Sequence, residues 1–575
     1  MRSSTEAERD EALAGETIAA ALGAGITVFD TGRAYGRGEA DLGHNERLLA
    51  RALIRAAGVG GAHATPGGEA RPQARVITKG GMTRPVGGWV PDGRVKAIMS
   101  DCEASLSALD GIPIDLYLLH APDPRTPWRT SVRALGRLLD EGLVPRVGIC
   151  NVNRTQLDEA LEIVPVTAIQ VALSIHDDRA LRAGLLDRCE KLGIALIAHS
   201  PLGGPRRAGG LGRRQALADA AAVCSATPAE VALAWLLHLS PAIVAIPGAR
   251  RPETARSAAR AGTLTLTPDT FATLRARRPA RRAPSPRSDD ADVVLVMGIP
   301  GAGKTRLAEG YLARRYVRLN RDERGGALRE LAAELDQRLG QGTRHVILDN
   351  TYLTRAARSY VIDAAARHGV PVRCVWLETS LVQAQVNMVE RLLDRFGALP
   401  TPEQLRALAR REPGALGPTQ QMRALRELEP PSVDEGFATV EAIPFTRTPP
   451  LGRTLAGAFI AAAALRDPGA ERALEHLATE APRLVFDWIP DGAADVLEPA
   501  VARVRATAGT GPVEAALCPH GGGPPRCWCR PPLPGLPLDF ARRHGVDSAR
   551  SVLIGASAAH RTLAGALGAR YVALP

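Results

Sequence analysis

Short apolar runs alternate with amphipathic stretches through roughly the first half of the chain. The apolar runs indicate buried strands at residues 26–30, 75–79, 115–120, 146–151, 168–173, 195–200 and 243–247. Helical patterns lie between them, including residues 95–109, 131–141, 181–192 and 228–239. This repetition predicts parallel strands joined by crossover helices, with functional residues at the carboxyl ends of the strands.

A second set of apolar runs surrounds a glycine-rich loop. The run 293–297 leads into GIPGAGKT (298–305), which fits the spacing G-x-x-x-x-G-K-[ST] between a strand and a helix. Gly298, Gly301 and Gly303 would let the backbone wrap phosphate oxygens at a helix N-terminus. Lys304 would bridge the outer phosphates and Thr305 would bind Mg²⁺, so we expect ATP with Mg²⁺ here. Short strands at 317–320, 346–349 and 372–377 predict a P-loop α/β fold.

Length and composition set the scale of the molecule. A chain of 575 residues, 45% of them hydrophobic, predicts three or four domains with real cores. No apolar run approaches the roughly 18 residues of a membrane span, and the N-terminus lacks the apolar core of a signal peptide. We therefore expect a cytoplasmic protein with no membrane partner.

The net charge of +11 is unevenly distributed along the chain. Residues 275–287 contain six arginines and no acidic residue, whereas residues 288–447 are nearly neutral. We interpret 275–287 as a solvated Arg/Pro-rich linker, in preference to a nucleic-acid-binding arm.

Lysine is rare in this arginine-rich chain. Only Lys79, Lys96, Lys191 and Lys304 occur among 72 basic side chains. Lys304 lies in the glycine-rich loop, and Lys79 ends a predicted strand. Because a guanidinium cannot replace an ammonium that must titrate or act as a compact point charge, both lysines are candidates for chemistry.

Six of the predicted strands end in polar residues, namely Asp30, Lys79, His120, Asn151, Gln170 and Ser200. The motifs around them are FDTGRAYG (29–36), VITKGG (76–81), LYLLHAPDP (116–124), GICNVN (148–153), AIQVALS (168–174), HSPLGG (199–204) and IPGARRPETARS (246–257). In this order they resemble the aldo-keto reductases, which are (β/α)₈ TIM barrels that use a nicotinamide cofactor. The resemblance implies such a barrel over residues 1–274.

The resemblance implies a catalytic tetrad of Asp30, Tyr35, Lys79 and His120. Tyr35 would protonate the carbonyl oxygen as it receives hydride, and Lys79 would stabilise the resulting anion. Asp30 would hold Lys79, and His120 would orient the carbonyl. The implied activity is reduction of a small carbonyl substrate with NADP(H). The alternative is a barrel that binds the dinucleotide without turnover and reports redox state to the rest of the chain.

Cofactor contacts are implied at the same strand ends. They are Asn151 and Gln170 on the carboxamide, His199 against the nicotinamide, and Ser200 and Leu202 on the pyrophosphate.

The turn from Gly248 to Arg251 would meet the adenosine end of the cofactor. Arg250 or Arg251 would pair with a 2′-phosphate, which favours NADP over NAD. Ser257 and Ala258 replace the Glu-Asn pair that is usual in the last cofactor-binding helix of the family.

The first barrel strand of the family has no counterpart before the first helix. Residues MRSST lead directly into that helix. Seven strands leave two unpaired edges in an eight-stranded barrel, so we expect the true start of the protein to lie upstream.

The segment 288–449 continues after the glycine-rich loop with YVRLNRDERGG (316–326), HVILDNTY (345–352) and PPSVDEGFATVEAIPF (430–445). It resembles the kinase half of polynucleotide 5′-kinase/3′-phosphatases. The resemblance implies that Asp322 accepts a hydroxyl proton, that Asp349 assists Mg²⁺ or substrate, and that Arg391 spreads charge over the transferring phosphoryl group. A nucleic-acid 5′-hydroxyl end is the implied acceptor, and a small-molecule hydroxyl is the alternative.

Cys518, His520, Cys527 and Cys529 crowd into the loop CPHGGGPPRCWC (518–529). Four such ligands suit tetrahedral Zn²⁺, and clustered cysteines in a cytosolic chain favour metal over disulfides.

This loop resembles the zinc loop of HAD-type phosphatases, which implies a small HAD-like α/β domain over residues 453–575. The catalytic acids of that family do not follow. Asp487 and Asp491 are four positions apart instead of two, and the expected metal-binding acids read GASAAH at 555–560. We therefore predict a domain without phosphatase activity whose fold is stabilised by bound zinc.

Overall fold

The computed structural model describes residues 4–5, 8–60, 74–274, 291–411, 414, 416–444, 452–507 and 509–574. The chain forms two compact units, Met1–Ala280 and Arg281–Pro575, which are described separately below. The proposed linker at 275–287 lies outside the described residues.

The first unit is built on a seven-stranded parallel sheet with the order β1-β2-β5-β6-β7-β8-β9. An antiparallel hairpin, β3–β4, follows β2 directly. In chain order the strands are β1 (Val28–Asp30), β2 (Arg75–Gly80), β3 (Met82–Thr83), β4 (Val90–Pro91), β5 (Ile114–Leu119), β6 (Val147–Cys150), β7 (Val166–Ala172), β8 (Ala195–His199) and β9 (Ile243–Ile246). The seven predicted strands are all present.

Helices cover the outside of this sheet. They are α1 (Glu11–Gly23), α2 (His44–Gly60), α3 (Val95–Ala108), α4 (Trp128–Asp140), α5 (Arg154–Leu161), α6 (Arg179–Arg182), α7 (Leu185–Leu192), α8 (Pro205–Ala208), α9 (Gln215–Val223), α10 (Pro228–His238), α11 (Pro252–Ala261) and α12 (Pro268–Thr273). The single helix predicted at 181–192 is broken, because Gly184 takes a left-handed conformation with φ 70° and separates α6 from α7.

Two layers of apolar side chains give the first unit its barrel form. Tyr117, Ile149 and Trp235 belong to the layer between strands and helices, whereas Leu118 and Ile197 belong to a smaller cluster of strand residues. Within the described residues, β1 and β9 end the sheet and no hydrogen-bonded ladder joins them. The predicted parallel (β/α) barrel is confirmed as a nearly closed one.

The second unit begins with a five-stranded parallel sheet of order β11-β12-β10-β13-β14. Its strands are β10 (Asp292–Met297), β11 (Val317–Leu319), β12 (His345–Asp349), β13 (Val372–Glu378) and β14 (Thr439–Pro444). Its helices are α13 (Lys304–Leu312), α14 (Arg321–Arg324), α15 (Leu328–Gly340), α16 (Arg355–Arg367), α17 (Leu381–Phe396), α18 (Pro402–Arg411) and α19 (Pro418–Glu427). The central strand β10 leads into the glycine-rich loop, as the sequence predicts for a P-loop α/β fold.

A second parallel sheet follows, with the order β17-β16-β15-β18-β19. Its strands are β15 (Ala458–Ala461), β16 (Arg483–Trp488), β17 (Val513–Cys518), β18 (Val552–Gly555) and β19 (Arg570–Ala573), and its helices are α20 (Ala470–Glu475), α21 (Glu498–Thr507), α22 (Gly535–Arg543) and α23 (Ala558–Leu567). Helix α17 packs its apolar face into the core of this sheet, where Val389 and Leu393 share a cluster with Phe459 and Phe540.

No single helix in the described ranges is long and apolar enough to cross a membrane. By length and composition the pair α9–α10 passes such a test together, although the two helices are bent by 89° at their junction.

Candidate functional sites

Lys79 is the centre of the first site. Its fully buried ammonium donates hydrogen bonds to Asp30 Oδ1 at 2.6 Å and to the Thr31 carbonyl oxygen at 2.7 Å. Burial lowers the pKa of Lys79, but the charges of Asp30 and Tyr35 outweigh burial and hold the pKa above its usual value. Lys79 is therefore a permanent cation in a medium that screens its field weakly.

Tyr35 lies on the loop after β1, which two hydrogen bonds hold against the barrel. The Arg33 amide donates to the Lys79 carbonyl oxygen at 3.1 Å, and Thr31 Oγ1 donates to Asn45 Oδ1 at 2.8 Å. The centre of the Tyr35 ring is 4.9 Å from Lys79 Nζ. Burial raises the pKa of Tyr35 to about 12, although Lys79 opposes the shift. The phenol therefore keeps its proton at neutral pH.

His120 completes the predicted tetrad directly after β5. Its ring centre lies 5.5 Å from that of Tyr35, with the two planes at 78°. Burial, followed by the charge of Lys79, lowers the pKa of His120 to about 3, so the imidazole is neutral at physiological pH. Its buried Nδ1 has no hydrogen-bond partner among the described residues, which favours the tautomer with the proton on Nε2.

The predicted carboxamide contacts join the tetrad. Gln170 Nε2 donates to Asp30 Oδ1 at 2.7 Å, and Asn151 Nδ2 donates to the His120 carbonyl oxygen at 3.0 Å. His199 Nε2 lies 3.1 Å from Asn151 Oδ1. These bonds connect the ends of β6, β7 and β8 to the tetrad.

Two of these strand ends have strained backbone. Asn151 has φ 57° and Ser200 has φ 51°, which L-residues rarely adopt. Each such residue costs on the order of 1–3 kcal/mol and is typical of sites that position a ligand.

The other cofactor candidates lie on loops after β8 and β9. Leu202 packs against the barrel core, and Gly248, Arg250 and Arg251 form the turn between β9 and α11. Both arginines are exposed. All four residues come after the carboxyl ends of parallel strands. The tetrad residues lie at the same edge of the sheet.

The sequence analysis missed Trp89 in the β3–β4 hairpin. The centre of its ring lies 6.0 Å from that of Tyr35 and 5.7 Å from that of His120, so the three rings pack edge to face. An aromatic residue in the loop directly after the strand that carries Lys79 was the signal that could have found it.

The glycine-rich loop of the second unit adopts left-handed backbone at two of its glycines. Gly301 has φ 86° and Gly303 has φ 96°, and Gly298 has φ 152°. A Cβ at Gly301 would lie only 2.3 Å from the Ala384 carbonyl oxygen, so no side chain fits there. Successive backbone N–H groups in such a conformation form a concave anion site.

Lys304 crosses this loop and donates to the carbonyl oxygens of Gly298 at 2.9 Å and Ile299 at 3.0 Å. Burial lowers its pKa to about 8, because the more distant Asp349 and Asp322 compensate only in part and Arg391 opposes them. Its charge therefore lacks the close carboxylate that Lys79 has.

Three side chains hold the outward carbonyl oxygens of the loop. Asn387 Nδ2 donates to Gly301 at 2.8 Å, Gln421 Nε2 to Pro300 at 2.7 Å, and Thr379 Oγ1 to Ala302 at 3.1 Å. The sequence analysis missed all three, since they come from α17, α19 and the end of β13.

A cleft of about 1720 Å³ opens beside the loop. Lys304, Thr305, Asp322, Asp349 and Arg391 all line it. Its walls also include Arg453 and Arg542 from the last part of the chain. The predicted nucleotide and transfer residues therefore share one cavity.

Within this cleft, Asp349 already has partners. Arg318 donates to it from Nε at 2.9 Å and from Nη2 at 2.5 Å, and Asn320 Nδ2 donates at 3.0 Å. Asp322 and Arg391 are exposed, and Arg391 donates a hydrogen bond to the Gly414 carbonyl oxygen. Partial desolvation by the cleft walls lowers the pKa of Arg391, but an arginine remains charged.

The four predicted metal ligands converge. Ligand atoms of Cys518, His520, Cys527 and Cys529 all lie within 4.8 Å of one another. The Sγ atom of Cys518 is 3.7 Å from that of Cys527 and 3.3 Å from that of Cys529, and His520 Nδ1 is 3.2 Å from Cys529 Sγ. A tetrahedral ion with bonds of about 2.3 Å requires separations of just under 4 Å, so this donor set fits Zn²⁺.

Neither β15 nor β18, the two strands at the centre of the ligand-binding edge of the last sheet, ends in an acidic residue. The order of the sheet reverses between β15 and β18, which is where ligands bind in such sheets. There, β15 ends at Ala461 and continues into alanines, and β18 ends at Gly555 and continues into Ala556 and Ser557. Asp487 lies on the neighbouring strand β16, and Asp491 lies beyond it.

Comparisons with known proteins separate two segments of the chain. Residues 2–278 match the model of the aldo/keto reductase family, and residues 293–413 match that of an AAA domain. The chain therefore carries an aldo/keto reductase domain, followed by a kinase-like P-loop domain.

A curated relative is an uncharacterized oxidoreductase of Schizosaccharomyces pombe, 28% identical over 201 residues. The match covers 35% of this chain and 64% of that protein, which is less than two thirds of its length.

Solved structures of reductases also match the first half of the chain. A thermostable aldo-keto reductase in complex with the inhibitor epalrestat is 29% identical with a TM-score of 0.39, and the match covers 47% of this chain and 89% of that one. An aldo/keto reductase from Klebsiella pneumoniae in complex with NADP and acetate is 24% identical with a TM-score of 0.38. That match covers 48% of this chain and 90% of the Klebsiella chain.

Proposed function

We propose that the first unit reduces small carbonyl compounds with NADP(H). The observation that carries this proposal is the buried Lys79–Asp30 ion pair beside the Tyr35 ring. The residues fit a dinucleotide, since strained Asn151 and Ser200 present polar side chains at the strand ends. The exposed Arg250–Arg251 turn would favour a 2′-phosphate.

The bound nicotinamide would supply the hydride. Tyr35 gives its proton to the carbonyl oxygen as negative charge develops there, and Lys79 lowers the free energy of the phenolate that remains. His120 donates an Nε2 hydrogen bond to the same oxygen and so fixes the orientation of the carbonyl. Asp30 and Gln170 keep Lys79 in place.

Oxidation of NADPH in the presence of generic aldehydes tests this proposal. We expect Tyr35→Phe to lose roughly 10²- to 10⁴-fold in kcat, because it removes the proton donor. NADPH affinity should be unchanged in this variant. Tight NADPH binding by the wild type without turnover would contradict the reductase and support the sensor alternative.

We also propose that the second unit transfers the terminal phosphoryl group of ATP to a polynucleotide 5′-hydroxyl. The observation that carries this proposal is the single cleft shared by Lys304, Thr305, Asp322 and Arg391. Its volume of about 1720 Å³ exceeds the roughly 300–1,000 Å³ of small-ligand pockets, which favours a large acceptor. Arg453 and Arg542 also line the cleft, each paired with a carboxylate, Glu390 and Asp394 respectively.

The roles follow from position in the cleft. Lys304 and the loop amides bind the outer phosphates, and Asp322 accepts the proton of the attacking hydroxyl. Arg391 neutralises charge that develops on the transferring group. The Thr305 hydroxyl would hold Mg²⁺, whereas Asp349, already bound by Arg318, would act only as an outer partner.

Transfer of labelled phosphate from ATP to an oligonucleotide with a 5′-hydroxyl tests the second proposal. The wild type should label the oligonucleotide, and Lys304→Ala should not. The matched control is the same oligonucleotide with a 5′-phosphate, which offers no acceptor. Labelling of small alcohols alone would contradict the nucleic-acid acceptor and leave the small-molecule alternative.

We further propose that the last sheet is an inactive HAD-like domain whose cysteine–histidine cluster binds structural Zn²⁺. The lack of acids at the described ends of β15 and β18 supports the loss of phosphatase activity. Hydrolysis of a phosphate monoester by wild type that persists in Lys304→Ala would contradict it.

A further inference from the structure

Arg84 in the β3–β4 hairpin is a buried cation without a counter-charge. Its relative exposure is 6%, and its Nε and Nη1 atoms have no hydrogen-bond partner among the described residues. Burial lowers its pKa, and no carboxylate of the described residues opposes that shift. A buried guanidinium without a partner is costly, so the site is expected to gain an anion when it is occupied.

The guanidinium lies next to the carbonyl site. Its Cζ atom is 3.9 Å from the centre of the Trp89 ring, which in turn lies 6.0 Å from the Tyr35 ring. Arg84 is therefore within about 10 Å of the Tyr35 ring and stacks on an indole that also borders Tyr35 and His120. The half-exposed Trp89 forms a wall along which a substrate can extend.

The position of Arg84 in the barrel separates it from the proposed cofactor contacts. The hairpin follows β2, and β5, β6 and β7 separate β2 from β8. In the nearly closed barrel the proposed pyrophosphate contacts after β8 therefore lie across from the hairpin, and the proposed adenosine contacts follow the next strand, β9. An anion at Arg84 therefore belongs to the substrate and not to the dinucleotide.

The net charge of the site indicates which kind of anion Arg84 would bind. Lys79 is neutralised by Asp30, so Arg84 supplies one unpaired positive charge near the described part of this site. A carboxylate carries one negative charge and bridges two nitrogens of a planar guanidinium. A phosphate dianion would need a second cation.

We propose that Arg84 binds the carboxylate of the substrate, so that the barrel prefers carbonyl compounds with a carboxylate about one benzene ring away from the reacting carbon. This inference rests on the proposed reductase activity. It assigns Arg84 as a specificity residue and Trp89 as the surface between the two ends of the substrate.

Two substrates that differ in one charge test the inference. They are 4-carboxybenzaldehyde and its neutral methyl ester, each measured by NADPH oxidation. The wild type should have the higher kcat/KM for the acid. Arg84→Met, which keeps an unbranched side chain against Trp89, should lose roughly 10- to 100-fold in kcat/KM for the acid and little for the ester. Most of the loss should be in KM, because the interaction is made before the chemical step.

The matched control is Arg133→Met, which removes an exposed arginine from α4 and changes the net charge equally. It should leave the acid-to-ester ratio unchanged. An acid-to-ester ratio that is the same in wild type and Arg84→Met would overturn the inference even if both substrates are reduced. If Arg84→Met does not fold, Arg84→Lys decides, since it must keep a preference for the acid.

Calorimetric titration with 4-methylbenzoate in the presence of NADP⁺ separates the two proposals. If neither aldehyde is reduced, the reductase proposal fails, and the carboxylate site is then judged by this titration alone. Binding to wild type that Arg84→Met loses would support the inference. Equal binding, or none to wild type, would overturn it.

Discussion

Lys79 is fully buried and Lys304 is half-buried at the cleft, and the protein uses the two ammonium groups in opposite ways. Lys79 donates to the Asp30 carboxylate at 2.6 Å, and its pKa is held above the usual value. Among the described residues, Lys304 donates to two carbonyl oxygens of its own loop and to no carboxylate, and burial lowers its pKa to about 8. The Lys79 charge is therefore neutralised within the protein, whereas the Lys304 charge is available to pair with a ligand.

This difference follows the proposed chemistry at each site. A proton donor such as Tyr35 benefits from a cation that is fixed throughout the reaction, so a permanent ion pair suits the barrel. A triphosphate brings several negative charges of its own. An internal carboxylate beside Lys304 would compete with those phosphates, so carbonyl oxygens are the better resting partners.

The largest expected effect tests the role of the Arg391 charge at the P-loop site. Arg391→Ala should reduce phosphoryl transfer by roughly 10³- to 10⁵-fold, because the charge of the transferring group loses its neutralising partner. The matched control is Arg395→Ala, one turn further along α17, which should change the rate only slightly. Similar losses in both variants, measured with labelled ATP, would remove Arg391 from the proposed role.

Removing the internal counter-charge would make Lys79 resemble Lys304. Asp30→Asn leaves a buried ammonium without its carboxylate and should lower the free energy of unfolding of the first unit by about 3–5 kcal/mol. Denaturant unfolding followed by circular dichroism measures this change. Glu103→Gln, at an exposed position on α3, removes one carboxylate and should have almost no effect. An equally stable Asp30→Asn protein would show that the ion pair is not needed for the fold.

Removal of the proposed Zn²⁺ should disturb the P-loop, because a few hydrogen bonds connect the metal-binding loop to it. Trp528, between two of the metal ligands, donates to the Leu416 carbonyl oxygen at 3.1 Å, and Thr419 donates to the Pro525 carbonyl oxygen at 2.8 Å. Gln421, in the same segment, holds the Pro300 carbonyl oxygen.

A chelator, or Cys527→Ser, should therefore lower the melting temperature of the second unit by about 5 °C or more and weaken phosphoryl transfer. NADPH oxidation by the first unit should not change. Cys224→Ser, at a cysteine outside the cluster, is the control and should behave as wild type. Metal analysis that finds no zinc in the purified protein would contradict the proposal.

The smallest expected effect is the uptake of a proton by Lys304 when ATP binds. Because the free site holds the pKa of Lys304 at about 8, ATP binding at pH 8.5 should take up roughly 0.5–0.8 proton, and binding at pH 6.5 almost none. Calorimetry in buffers of different ionisation enthalpy measures this uptake.

Carbonyl reduction should instead be nearly independent of pH from about 5 to 9 in the barrel, since Tyr35 titrates near 12 and His120 near 3. A pH profile of kcat/KM with a group titrating near 7 would contradict this reading of the barrel site.

The elements of the fold were predictable because their signals are local. Short continuous apolar runs and the glycine-rich loop mark strands and turns within a few residues, so the seven barrel strands and the P-loop fold were predicted. The break at Gly184 was missed, because helical periodicity continues across it. The glycine itself was the one local signal, since glycine readily adopts the positive φ of 70° found at Gly184.

The candidate sites were predictable only in part. Lys79 and Lys304 stand in recognisable motifs, but their protonation depends on burial and on neighbours brought by other strands. The partners of the P-loop carbonyls, such as Asn387 and Gln421, lie 86 and 121 residues away from the groups they hold. No local pattern carries that information.

The amino-acid sequence by itself determined the strand and helix pattern, the glycine-rich loop and the identities of the tetrad and cluster residues. Only the tertiary structure decided that Lys79 is fully buried, that Lys304 contacts no carboxylate among the described residues, and that Arg84 is buried beside Trp89 with no described partner for Nε or Nη1. The reason is physical. Patterning acts over a few neighbouring residues, whereas burial and charge pairing depend on side chains that only the folded chain brings together.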